Sequence, residues 1–97
     1  MAFNILDTCS TDGLLAGSGA NGWKIQNNTF YGAETPAGTG LNLAATTGTN
    51  WAAECNIFYG WTTSWSAAAG VGSNFGDYND YFNNTADVSN VTKGPHD

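Results

Sequence analysis

Arginine is absent from this 97-residue chain, lysine occurs only as Lys24 and Lys93, and charged residues of both signs make up 10% of it. A nucleic-acid surface neutralises phosphates with clustered Lys and Arg, and an anionic membrane face is met by a polybasic patch. With two cations and a net charge of −6, the chain suits neither partner. No apolar run approaches the roughly 20 residues of a membrane-spanning helix. Leucine is scarce as well, with five in all. A leucine-rich repeat needs several in every repeat. The low charge also disfavours surface helices, whose wet faces carry Glu, Lys and Arg.

What fills the sequence instead is Gly, Asn, Thr, Ser and Ala, with aromatics at 13%. That mixture suits many short strands joined by turns, and the aromatics supply a core that disordered chains lack. The opening "MAFNILDTCS" shows neither a charged leader nor an apolar h-region. The expectation is therefore export by another route, such as a particle released by lysis, or excision from a longer protein. Cys9 and Cys55 stand 46 positions apart, which matches no metal spacing. Two buried small residues and a disulfide both remain open for them. Asn-x-Thr sequons begin at Asn27, Asn83 and Asn90, as an Asn- and Thr-rich composition produces by chance.

Two stretches nearly coincide. "GWKIQNNTFYG" (22–32) lies over "NWAAECNIFYG" (50–60) with Trp, Asn, Phe, Tyr and Gly in register. Asn followed by any residue and a large apolar one recurs at Asn4, Asn28, Asn56 and Asn79, in steps of 24, 28 and 23. A second kernel, Gly then an aliphatic residue, falls at Gly13-Leu14, Gly40-Leu41 and Gly70-Val71. Periods of this length mark stacked repeats. Strand alternation places Trp23, Ile25 and Asn27 inward with Lys24 and Gln26 in water, and likewise Trp51, Ala53 and Cys55 inward of Ala52 and Glu54. Phe30 and Phe58 then face in and Tyr31 and Tyr59 out. Leu41 and Leu43 face in around Asn42. The recurring Asn can make the turn and bond the Asn stacked above it, while Gly32 and Gly60 close the corner.

Asn-Asn-Thr-Phe-Tyr-Gly followed by Gly-Leu-Asn-Leu resembles the right-handed parallel β-helix repeats of pectate-lyase-like and phage-tailspike-like proteins, over residues 3 to 85. The resemblance implies an all-β parallel β-helix, or β-solenoid, of about three to four short rungs of 23–28 residues over 1–85. A polar C-terminal tail over 86–97 is expected to follow. For function it implies a structural or adhesive segment of a larger surface, fibre or virion protein, in an extracellular, cell-surface or virion setting. Such a segment would self-associate through open strand edges, or meet neighbouring segments of a longer chain, and contact polysaccharide. The alternative is a non-catalytic piece of a polysaccharide lyase or glycoside hydrolase. A small β-domain with a duplicated hairpin is a third reading.

The resemblance also implies what catalysis would need. Lyases of this type use an Arg base and Asp-bound calcium, and hydrolases use clustered Asp, Gly-His-Gly and Arg-x-Lys. The chain has no Arg, and its single His is His96. Glu54 is the best-placed member of any carboxylate pair, and a solvated strand residue otherwise. Asp77, Asn79 and Asp80 are candidate calcium ligands, or the residues of an ordinary bend. Tyr31, Tyr59, Trp61 and Trp65 are candidates for glycan or interface contact. For Trp61 and Trp65, within the longest stretch between kernels, packing against the body is the competing reading.

Overall fold

The computed structural model describes residues 3–7, 11–17, 22–43, 51–68 and 75–97. Among them the secondary structure is entirely β: β1 (Ile5–Asp7), β2 (Asp12–Leu15), β3 (Lys24–Gln26), β4 (Thr29–Tyr31), β5 (Thr39–Leu43), β6 (Ala52–Glu54), β7 (Ile57–Tyr59), β8 (Thr63–Ala67), β9 (Phe75–Asp77), β10 (Asp80–Phe82), β11 (Ala86–Ser89) and β12 (Thr92–Lys93). They form three four-stranded parallel sheets. The first is β1-β4-β7-β10, the second β2-β5-β8-β11 and the third β3-β6-β9-β12. The chain thus visits the first, second and third sheets in turn and starts again, each circuit adding one strand to every sheet. A duplicated hairpin would pair its strands antiparallel. These pairs are all parallel, which excludes the hairpin reading.

Register follows the repeat. In the first sheet Leu6, Phe30, Phe58 and Tyr81 stand in one row and Asp7, Tyr31, Tyr59 and Phe82 in the next. The first of these rows points inward. Phe30 and Phe58 are fully buried and stack at 4.7 Å, with Tyr81 continuing the stack at 5.5 Å. Burying each Phe contributes about 2–3 kcal/mol. Ala16, Ile25, Leu41, Leu43, Trp51, Ala53, Trp61, Trp65 and Ala67 complete the core.

Strict alternation fails at one corner. The residue before each kernel Asn (Phe3, Asn27, Cys55 and Tyr78) has φ of 56 to 58°. This left-handed geometry turns its side chain out to solvent and lets the following Asn point in. Asn27 and Cys55, expected inward, are therefore exposed, and the turn belongs to the residue before the kernel Asn. All three sequon residues, Asn27, Asn83 and Asn90, sit at such positive-φ corners. That is turn chemistry, since Asn tolerates this region. Trp23 is half exposed beside the edge strand β3, although its ring lies against the buried Trp51 at 5.6 Å, tilted by 32°.

Two further expectations change. The third copy of the Gly-Leu kernel is Ser64-Trp65, since Leu14 pairs with Leu41 and Leu41 with Trp65. Gly70 and Val71, chosen for it from sequence, lie outside the described residues, as does Cys9. The stretch holding Trp61 and Trp65 is thus β8 and its approach. Trp65 can replace Leu because Gly76 stands opposite: a Cβ there would lie 2.7 Å from the Trp65 ring. The expected tail over 86–97 also carries structure. β11 pairs with β8 and β12 with β9, so the sheets extend to Lys93. Its polar composition hid an edge circuit, whose outward and edge positions do not need apolar residues.

Cys55 pays for its corner with strain, having a Cβ at φ 56° and an exposed side chain that packs little. Cys55→Asn should raise stability by about 1 kcal/mol, read as a higher urea midpoint at unchanged slope.

Candidate functional site

The four kernel asparagines form a directional amide ladder. Asn4 donates its backbone N–H and Nδ2 to Asn28 Oδ1 at 3.0 and 3.1 Å. Asn28 donates both to Asn56 Oδ1 at 2.9 and 3.1 Å. Asn56 donates both to Asn79 Oδ1 at 3.1 and 3.0 Å. The remaining Nδ2 hydrogens bond carbonyls, Asn28 to Gln26, Asn56 to Ile25 and Asn79 to Ala53, each at 2.9 Å. Asn28, Asn56 and Asn79 are buried. Each amide thus satisfies polar groups that a buried turn would otherwise strand.

The ladder ends on a carboxylate, which sequence reasoning missed. Asn79 donates its N–H and Nδ2 to Asp97 Oδ1 at 2.7 and 3.2 Å. Asp97 Oδ2 accepts from Gly94 N–H at 3.3 Å and from the Tyr81 hydroxyl at 3.4 Å. Burial, then the Asp97 charge, push the Tyr81 phenol well above its ordinary range. Step counting could not find Asp97, because it lies 18 residues past Asn79 and is not Asn.

Outside the ladder, the first sheet presents a row of rings. Tyr31 and Tyr59 stack at 5.0 Å and 5°, and Tyr59 and Phe82 at 5.9 Å and 18°. Tyr59 thus has a ring against each face, Tyr31 and Phe82 one each, and the row lies beside Thr29 and the exposed Ile57. Trp61 and Trp65 do not join them, as both are fully buried. Trp61 Nε1 donates to the Phe30 carbonyl at 2.9 Å, and its indole packs where Gly13, Gly32 and Gly40 lack a Cβ. Both tryptophans serve packing in this fold.

Glu54 and Asp77 are in register on the third sheet, and Glu54 accepts a hydrogen bond from Gln26 Nε2 at 2.7 Å. Burial alone would raise the Asp77 pKa. The His96 hydrogen bonds and charge and the Tyr78 N–H outweigh it and hold the group below the ordinary carboxylate range. A general acid needs the opposite shift. Nor do the calcium candidates converge: Asn79 Oδ1 accepts two ladder bonds in the core, Asp80 is exposed on β10, and Asp77 binds the His96 turn. Comparison with family models, curated proteins and solved structures finds no match.

Asn56→Ala removes the acceptor of two Asn28 donors and the donor to the Ile25 carbonyl. It should cost about 3 kcal/mol in urea unfolding. Asn56→Asp keeps the acceptor but buries a charge, so its penalty should appear above the ordinary carboxylate range and ease below it.

Proposed function

We propose that this chain is a right-handed parallel β-helix serving as a structural and adhesive segment of a larger surface, fibre or virion protein of the tailspike-like kind. The handedness rests on the strong preference of parallel crossovers for one hand. The observation that carries the reading is the allocation of the repeat itself. The in-register positions serve stacking, with amides and Phe inside and Tyr outside. A rigid post that repeats its surface chemistry every circuit suits an elongated assembly.

The adhesive part rests on the Tyr31–Tyr59–Phe82 row. Ring edges and Tyr hydroxyls beside Thr29 and Ile57 offer apolar contact together with hydrogen bonding, as a sugar requires. A net charge of −6 disfavours polyanionic glycans, which points to a neutral polysaccharide.

An array of neutral and acidic polysaccharides tests this. Neutral members should retain the chain, and Tyr31→Ala or Tyr59→Ala should weaken retention roughly tenfold, the worth of one aromatic contact. Retention on acidic members alone, or retention unchanged in both variants, would remove the adhesive part of the reading.

A further inference from the structure

The outer face of the first sheet carries two rows of side chains. One runs Asp7, Tyr31, Tyr59, Phe82 and the other Ile5, Thr29, Ile57, Asp80. They occupy the first and third positions of three-residue strands, whose middle positions turn into the core. The interior therefore does not dictate their composition. A lateral face of this kind is presented equally by a longer stack.

Within these rows a carboxylate sits among apolar groups. Asp80 shares the outward side of β10 with Phe82, two residues or about 6.6 Å away along the strand. Across the sheet it is in register with Ile57, one strand spacing of about 4.8 Å away, with Tyr59 at the diagonal. Asp80 is exposed, and the two ion pairs among the described residues, Lys93 with Asp87 and His96 with Asp77, leave it out. Lys24 stands on the third sheet. On the far side of the rings Asp7 is in register with Tyr31, so carboxylates flank the aromatic row on both sides. A negative charge on an apolar, aromatic floor matches a ligand that carries a positive charge on a body with C–H faces. An acidic ligand is repelled there, and a neutral one leaves the carboxylate without a counter-charge.

We propose that the preferred ligand of this face is a polysaccharide bearing free amino groups, with a protonated amine held by Asp80 and the sugar's C–H face against Ile57, Tyr59 and Phe82. The inference rests on the adhesive reading above and names the class of glycan within it. Neutral glycans engage the rings alone, whereas an amino sugar adds a charge-assisted hydrogen bond to the same contact. N-acetylation of that sugar keeps its ring and hydroxyls but removes the charge, so it loses the Asp80 contact and retains the rest. This is distinct from a general attraction of an acidic chain to any polycation, because the charge that counts is the one beside the rings.

Retention of the full chain on two immobilised oligomers of equal length, β-linked glucosamine and its N-acetylated form, tests the proposal with the amines kept protonated. The glucosamine oligomer should be held roughly fivefold more tightly at low salt, and the ratio should approach unity as salt rises. Asp80→Asn should bring the ratio to about unity, and Asp80→Lys should reverse it. Glu54→Gln removes the same charge from the third sheet and should keep the wild-type ratio. Far-UV circular dichroism checks that the variants fold, and Asp80→Ser decides the matter if the lysine variant does not. Equal loss of the preference in Asp80→Asn and Glu54→Gln would assign it to net charge and overturn the proposal. Equal retention of both oligomers, weakened by Tyr59→Ala, overturns this assignment alone and leaves the adhesive reading standing. Retention of neither oligomer also overturns the assignment, and the polysaccharide array then reports separately on the adhesive reading.

Discussion

A buried amide that must satisfy both its donors and its acceptor sets the plan of this chain. An asparagine side chain in a core is costly unless each polar atom finds a partner. Here the partners lie on the circuit before or after, except that Asn28 Nδ2 also bonds the Gln26 carbonyl of its own circuit. A slip of one residue would turn the Asn outward and the corner residue inward, stranding several groups at once. The parallel register of the first sheet, the burial of Phe30 and Phe58, and the outward row of Tyr31 and Tyr59 all follow from that alignment.

The corner that admits the Asn explains the shortness of the strands. A left-handed residue ends β3, β6 and β9 after three residues, and the next strand starts two positions later on another sheet. No single strand pair stabilises much alone, so cohesion comes from ladders that run across all the circuits. Volume is balanced across sheets as well as along them. Where Trp65 replaces Leu41 in the second sheet, Gly76 replaces Ala53 in the third. Trp61 likewise fits only beside glycines.

This balance marks what the sequence could disclose. Asn4, Asn28, Asn56 and Asn79 are visible because hydrogen-bond geometry demands one residue type, and the hydrogen bonds join those same four. Phe30 and Phe58 are visible for the same reason, through stacking. Ser64-Trp65 was hidden because a core layer conserves total volume rather than identity. Cys55 was misplaced because nothing in its chemistry announces positive φ, whereas Asn27 at the same corner does. β11 and β12 were hidden by polarity, and Asp97 by filling an Asn's place as acceptor only. The outward Tyr31–Tyr59 pair is legible as a row, whereas the near-parallel stacking of the two rings depends on side-chain rotamers that the sequence does not state.

The central claim is that the amide ladder is a continuous buried element, and side-chain hydrogen exchange reads it directly. The Nδ2 protons of Asn28 and Asn56 should exchange only with global unfolding, while those of Asn83, bonded to the Glu34 carbonyl at the exposed surface, should exchange far faster. Exchange of Asn28 and Asn56 as fast as that of Asn83 would contradict the ladder and the fold built on it.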